Sequence, residues 1–138
     1  MEIISSGFME IEHTADTAIR VWADDLPTLF SEAAKGMYSL MGIKFDDKLK
    51  KLYTIILKAK ELESLLVMFL EELLYINESE GLGFNRLNLE INEGYGLSAQ
   101  LEGIKISGIC KEIKAVTFHN MQINNTKLGY EVVIVFDV

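Results

Sequence analysis

The final ten residues, Gly129–Val138, constrain the fold more than any other stretch of this chain. Five consecutive apolar residues, from Val132 to Phe136, are mostly β-branched and too few to form a buried helix. Such a run is typical of a strand covered on both faces in the middle of a sheet. We therefore expect the rest of the chain to pack around this last strand.

Two acidic groups follow the apolar run directly. Asp137 carries a side-chain carboxylate, and Val138 adds the α-carboxylate at the end of the chain. Two anions at the end of a buried strand repel each other unless a positive charge lies between them. Their oxygen atoms suit a hard cation such as calcium or magnesium better than zinc, and Asp16 could supply a third carboxylate. The alternative is a frayed, solvated terminus without a ligand.

Composition restricts the chain to few classes of protein. At 138 residues and 49% hydrophobic content, it fits a single domain over residues 1–138 with a sizeable core. A net charge of −8 argues against a protein that binds nucleic acid stably by itself. No apolar window reaches membrane-spanning length, and the first residues lack the features of a signal peptide. A single cysteine, Cys110, suits a reducing compartment, so we expect a cytoplasmic protein without a membrane contact.

The periodicity of the apolar residues predicts an α+β fold, a mostly antiparallel sheet with two helices. Helices are predicted over residues 26–41 and 61–78, and the second is apolar on more than one side. Asp24 or Asp25 would cap the first helix, and Gly42 would end it. The predicted strands are residues 8–13, 17–23, 52–59, 82–91, 96–104, 113–118 and 130–137.

Two polar segments are interpreted as turns. The basic cluster of Lys48, Lys50 and Lys51 is interpreted as a solvated turn, with a phosphate contact as the alternative. Asn124–Thr126 is interpreted as the turn before the last strand.

The segment His13–Asp16 places an imidazole, a hydroxyl and a carboxylate between two predicted strands. It could contribute to a site at the edge of a sheet. The alternative is that Asp16 only stabilises the turn through its own backbone and that His13 is a half-buried strand residue.

If the segment Lys111–His119 is a strand, period-two alternation places Glu112, Lys114, Val116 and Phe118 on one face and the odd-numbered residues on the other. Lys114 could direct its ammonium group into a site or extend along an exposed edge. Neither His13 nor His119 has the spacing of a zinc ligand, and no nucleophile with a partner base is evident. The residues by themselves thus indicate an α+β domain with a candidate oxygen-ligand metal site.

Taken together and in order, these segments resemble the archease family. His13–Asp16 is similar to the N-terminal signature of that family, and residues 26–34 and 65–75 are similar to its two helices. Lys114–His119 and Phe136–Val138 resemble its last two signatures. Each motif alone is weak, but the ordered set covers nearly the whole chain and is specific.

The resemblance implies the archease fold and an accessory protein that is not an enzyme and has no catalytic residue of its own. Archeases support the RtcB-type RNA ligase of tRNA splicing by promoting its guanylylation and its multiple turnover. Asp16, Asp137 and the carboxylate of Val138 would bind a divalent metal, calcium by preference, with magnesium or manganese as alternatives. Lys114 would be a functional residue beside them, His13 is an accessory candidate, and RNA would be contacted only through the ligase.

Two other functions are compatible with the same residues. A stand-alone metal-dependent phosphoester hydrolase would turn over substrate without a partner protein. A chaperone-like binding module would keep its function without Asp16 and Asp137.

Overall fold

A computed structural model describes residues 5–11 and 17–138 of the chain, and for residues 47–50 the backbone alone. The described residues form an α+β fold in which two helices pack between two antiparallel sheets. The helices are α1 (Leu26–Met41) and α2 (Leu62–Glu80). The strands are β1 (Gly7–Ile11), β2 (Thr17–Ala23), β3 (Lys44–Lys58), β4 (Leu82–Ile91), β5 (Gly96–Gly108), β6 (Ala115–Val116), β7 (Asn124–Thr126) and β8 (Gly129–Asp137).

The last strand, β8, lies in the middle of the first sheet, as its apolar run predicts. The strand order is β1-β2-β8-β6, and β7 also pairs with β8. Val132, Ile134 and Phe136 are almost fully buried, whereas Val133 is half-buried. The predicted central position is therefore confirmed, although burial is not complete on both faces. The second sheet has the order β3-β5-β4.

Helix α1 begins and ends where its sequence predicts. The Asp25 carboxylate accepts a hydrogen bond from the Thr28 N–H at 2.8 Å, and Pro27 occupies the first turn. Gly42 ends the helix in a left-handed conformation, with φ 62°. This helix packs on β1 and β2 of the first sheet and on β4 of the second.

Helix α2 is buried on two sides, also as predicted, because it contacts β6 of the first sheet and all three strands of the second. Gly81 ends it with φ 66°, and β4 begins directly afterwards at Leu82. Gly83 is buried within β4.

Three predicted boundaries are wrong. Strand β3 begins at Lys44 rather than Leu52, so the basic cluster is part of a strand and not a turn. Its pairing with β5 shifts register between Lys44 and Lys50, which breaks the alternation that the sequence pattern needs. Asn124–Thr126 forms β7, and the connection to β8 follows at Lys127 and Leu128.

The third wrong boundary concerns the predicted strand over residues 113–118, which is reduced to Ala115–Val116. The N–H of Val116 donates to a carboxylate of α2 instead of to a neighbouring strand. Ile113 and Val116 are buried, three residues apart, which period-two alternation does not produce.

Candidate functional site

The candidate site is the end of β8, where a buried strand emerges into solvent. Phe136 is fully buried and pairs with Thr17 of β2 on one side and with Val116 of β6 on the other. The next residue, Asp137, is exposed, and Val138 is 38% exposed. The acidic strand end is thus accessible, while the residue before it is fixed by two neighbouring strands.

Lys114 lies beside this strand end, as the candidate site requires. Its backbone N–H donates to the carbonyl oxygen of Asp137 at 2.8 Å, and Ala115 pairs directly with Asp137. The Thr117 N–H donates to the Val135 carbonyl at 2.9 Å, so the pairing of this segment with β8 continues past β6. The Lys114 side chain is exposed, so its ammonium group is available to a ligand or partner.

Two of the predicted site residues, His13 and Asp16, lie outside the described residues. Thr17, the residue that follows Asp16 in the chain, is opposite Phe136 in the register of β2 and β8. Thr17 is one of the buried polar residues, with 8% exposure. The structure therefore brings together Asp137, Val138 and Lys114, and a role for Asp16 stays a prediction.

A second lysine reaches the same region, and sequence reasoning gave it no role. The Lys111 ammonium group donates to the Thr17 hydroxyl at 3.1 Å. Lys111 and Thr17 are 94 residues apart in the chain. No local pattern relates two residues at that separation, so this contact could not be found by sequence periodicity.

Two glutamates of α2 hold the segment that carries these lysines. The Glu71 carboxylate accepts from the Val116 N–H at 2.9 Å, and the Glu63 carboxylate accepts from the Ile123 N–H at 2.8 Å. Both bonds are partly buried, and a charged acceptor makes them stronger than neutral hydrogen bonds. The helix therefore fixes the backbone on either side of Thr117 and, through it, the position of Lys114.

A groove of about 570 Å³ runs between α2 and the segment before β6, and Lys114 is one of the residues that line it. Its walls carry both signs of charge and an exposed aromatic ring, Tyr75. The polar side chains that line it are Glu71, Asn77, Glu78, Lys111, Glu112 and Lys114. This mixed lining differs from an apolar small-molecule pocket and is typical of a surface for a polar ligand or partner.

Away from the site, an ion pair joins β2 to β8. The Arg20 guanidinium donates to the Glu131 carboxylate at 2.6 Å and 3.2 Å and lies 5.5 Å from the centre of the Trp22 ring. Hydrogen bonding to Arg20 lowers the pKa of Glu131 below its ordinary value, and Glu131 in turn raises the pKa of Arg20. This pair connects the strands that place Thr17 and Asp137 at the same end of the sheet.

The described residues supply the donor type that a hard cation prefers, but only part of a ligand set. Asp137 offers an exposed carboxylate at a fixed strand end, which fits calcium or magnesium chemistry. Within residues 5–11 and 17–138, no group of three or more His, Cys, Asp or Glu side chains is arranged to hold a metal ion. In the same part of the chain, neither helix has the length and apolar character needed to cross a membrane.

Comparison with known proteins assigns the family. The sequence model of the Archease protein family (MTH1598/TM1083) matches residues 8–138. Protein archease of Pyrococcus abyssi is 35% identical over 125 residues, covering 86% of this chain and 88% of the relative. Protein archease of Saccharolobus islandicus is 34% identical over 137 residues, covering 96% and 99%. The chain therefore belongs to the archease family, as its ordered motifs predict.

Solved structures confirm the fold. The crystal structure of an archease from Thermotoga maritima, described as a possible chaperone, has a TM-score of 0.71 at 25% identity and covers 93% of this chain and 94% of its own. The solution structure of protein 1598 from Methanobacterium thermoautotrophicum has a TM-score of 0.70 at 26% identity, with coverage of 96% and 99%. The predicted α+β archease fold is thus confirmed.

Proposed function

We propose that this protein is an accessory activator of an RtcB-type RNA ligase in tRNA splicing, which promotes guanylylation of the ligase and its multiple turnover. Family membership supports the accessory role. The observation that carries the proposal is the strand end itself, where Asp137 and Lys114 lie next to each other on an exposed, well-anchored surface.

In this proposal, Asp137 and the α-carboxylate of Val138 bind a divalent cation, with Asp16 as the third acidic ligand. All the donors are oxygen atoms, which suits a hard cation better than zinc; calcium is the proposed ion, with magnesium or manganese as alternatives. The bound cation would supply positive charge for phosphate oxygens of the ligase reaction. Phe136 keeps the strand end rigid, and the Lys114 ammonium contacts an anionic group of the ligase or its substrate.

The charge of the chain favours a protein partner over direct RNA binding. A protein with a net charge of −8 is repelled by the RNA backbone, whereas the active-site cleft of an RNA ligase needs positive charge. An acidic strand end can dock at such a cleft by electrostatic complementarity. RNA is then contacted through the ligase, in the cytoplasm.

The test is RNA ligation by the cognate ligase at limiting concentration, with guanylylation measured in parallel. We expect the wild-type protein to increase the guanylylation rate and to permit several turnovers per ligase, and Asp137→Asn to abolish both effects while the protein stays folded. Asp24→Asn is a matched control, because Asp24 is an exposed aspartate at the opposite end of β2. Full stimulation by Asp137→Asn would contradict the proposed site.

The description of the Thermotoga maritima relative as a possible chaperone provides a second candidate, a chaperone-like binding module. That function would survive Asp137→Asn and would not depend on a divalent cation. A stand-alone hydrolase would release phosphate from a phosphoester without any ligase. The ligation assay with a ligase-free control separates the three functions.

A further inference from the structure

Strand β3 has a free edge along residues 52–58. The Ala59 N–H donates to the Tyr95 carbonyl at 3.2 Å, on the side of β5. Because successive residues of a strand direct their N–H and C=O groups to opposite sides, the odd-numbered residues 53–57 also face β5. The even-numbered residues 52–58 therefore direct their backbone groups away from the sheet, and among the described strands only β5 pairs with β3.

The same even-numbered residues present their side chains on the outer face of the sheet. Leu52 is 80% exposed and Ile56 is 77% exposed, which makes them the most exposed large apolar residues in the described part of the chain. Thr54 lies between them and is also exposed. A shallow groove of about 490 Å³ crosses this face beside them, lined by Leu52, Thr54, Arg86, Asn88, Gln100 and Glu102.

The sequence of β3 has the opposite charge to the rest of the protein. Residues 44–60 contain six of the 13 Lys and Arg residues of the chain but only two aspartates, in a protein of net charge −8. Lys58 is exposed at one end of the free edge, and the exposed Lys60 follows directly, whereas Lys51 at the other end pairs with Glu80 at 3.1 Å. Lysines on an edge strand discourage pairing with neutral or basic strands. By electrostatic attraction, these lysines favour an added strand that carries acidic residues at its ends.

We propose that the free edge of β3 binds an extended acidic segment of a partner protein as an added antiparallel strand. The segment would accept and donate hydrogen bonds at the even-numbered residues 52–58, as in other cases of strand addition. Its alternate apolar side chains would cover Leu52 and Ile56, and one of its acidic ends would lie near Lys58 and Lys60. This surface is separate from the strand end at Asp137, so the proposal is independent of ligase activation.

Two other occupants fit the edge less well. A second copy of this chain, paired about a two-fold axis so that Leu52 is opposite Ile56, would also place Lys58 opposite Lys50 of the other copy. Single-stranded RNA would require aromatic rings for its bases to stack on. The aromatic ring within residues 52–58, that of Tyr53, lies on the inner face, where it contacts Phe84 and hydrogen-bonds to Glu80.

The probe is a fluorescein-labelled peptide of sequence DEVTVTVED, and the control peptide is KKVTVTVKK. Fluorescence anisotropy should show saturable binding of the acidic peptide with a Kd below about 1 mM, weaker at high salt, and no binding of the basic peptide. Absence of saturation up to that concentration, or equal binding of both peptides, would overturn the proposal.

Variants at exposed positions test the geometry with little risk to the fold. Ile56→Glu should abolish binding of the acidic peptide, whereas Ile56→Lys, a matched change at the same exposed position, should retain it. Thr54→Pro removes an N–H from the free edge without removing a hydrogen bond to β5, so it should also prevent binding, whereas Thr54→Val should not. Equal binding by Ile56→Glu and Ile56→Lys would contradict the assigned surface.

Amide hydrogen exchange gives an independent readout. The free protein should exchange the N–H groups of Leu52, Thr54 and Ile56 quickly and those of the intervening residues slowly, and the peptide should protect the fast set. Sedimentation equilibrium and a labelled oligouridine 12-mer test the other occupants. A dimer that Thr54→Pro disrupts, or oligouridine binding that the peptide displaces, would assign the edge to that occupant and refute the acidic segment.

Discussion

The hydrogen bond between Glu71 and Val116 is the most direct test of how the site is held together. Glu71→Ala removes the acceptor of the Val116 N–H, whose N···O distance is 2.9 Å. Val116 is only 5% exposed, and in the described structure its N–H has no other acceptor, so this donor would be left unsatisfied in a largely buried position. A hydrogen bond to a charged group contributes about 1.5–3 kcal/mol to stability.

This free energy converts into a measurable change of melting temperature. An unfolding entropy of about 2.1 cal/mol/K per residue gives about 0.3 kcal/mol/K for 138 residues. We therefore expect Glu71→Ala to lower the Tm by about 5–10 °C, measured by thermal unfolding monitored with circular dichroism. In native-state hydrogen exchange, the Val116 N–H should lose protection more than the N–H groups of β8.

Glu72→Ala is the matched control, because it makes the same change of helix propensity in the next residue of α2. Glu72 is half-buried like Glu71, and the described structure shows no hydrogen bond or ion pair of its carboxylate. If Glu71→Ala and Glu72→Ala unfold at the same temperature, Glu71 does not anchor β6, and the reasoning about the position of Lys114 is refuted.

Three further changes have defined outcomes. A serine added after Val138 should abolish ligase stimulation, because it displaces the α-carboxylate from its proposed place. The control is a protein with one serine added at the N-terminus. Full ligase stimulation by the protein extended after Val138 would exclude Val138 as a ligand. Arg20 lowers the pKa of Glu131 below its ordinary 4.5, so the ionised Glu131 stabilises the fold near neutral pH. Glu131→Gln should therefore lower the free energy of unfolding by about 0.2–1 kcal/mol at neutral pH. In urea unfolding, this difference between the two proteins should disappear as the pH falls below 4.5. Gly129→Ala should cost about 1–3 kcal/mol in the same assay, because φ is 133° and the new Cβ would clash with the Ala23 carbonyl oxygen and lie 2.8 Å from the Asp24 Cα. Gly108→Ala meets no atom within 4 Å and should cost less.

The elements that the sequence predicts well are those determined by local chemistry. Helix α1 was predicted from apolar periodicity, a cap at Asp24 or Asp25 and an end at Gly42; Asp25 is the residue that caps it, and Gly42 ends it as expected. Strands β4 and β5 were predicted in the same way over residues 82–91 and 96–104, and they pair across the turn between Ile91 and Gly96. In these segments the signal for the structure and the residues that stabilise it are close in the chain.

The elements that the sequence predicts poorly depend on distant residues. The short β6 owes its length to Glu71, which is 45 residues away from Val116 in the chain. The N-terminal half of β3 pairs irregularly with β5, so its lysines looked like a turn. In both cases a long-range hydrogen-bonding partner, absent from any local pattern, decides the secondary structure.

The candidate site likewise contains one part that a local pattern predicts and other parts that depend on distant residues. The exposed acidic end of a buried strand could be predicted from the order of residues in Gly129–Val138 alone. The position of Lys114 beside Asp137 required the pairing of β6 with β8, and before the structure only the resemblance to archeases placed the two together. Neither the sequence pattern nor the resemblance to archeases indicated the contact between Lys111 and Thr17.

The arrangement at the end of β8 meets two requirements of the proposed activator surface. A group that must align with the active site of another protein has to be held rigidly, yet it must remain accessible. Phe136 meets the first need, because it is fully buried and paired on both sides, and Asp137 meets the second one residue later. Helix α2 extends this support to Lys114 through Glu71. The acidic and basic groups of the candidate site therefore depend on the same packed core, although each is itself exposed.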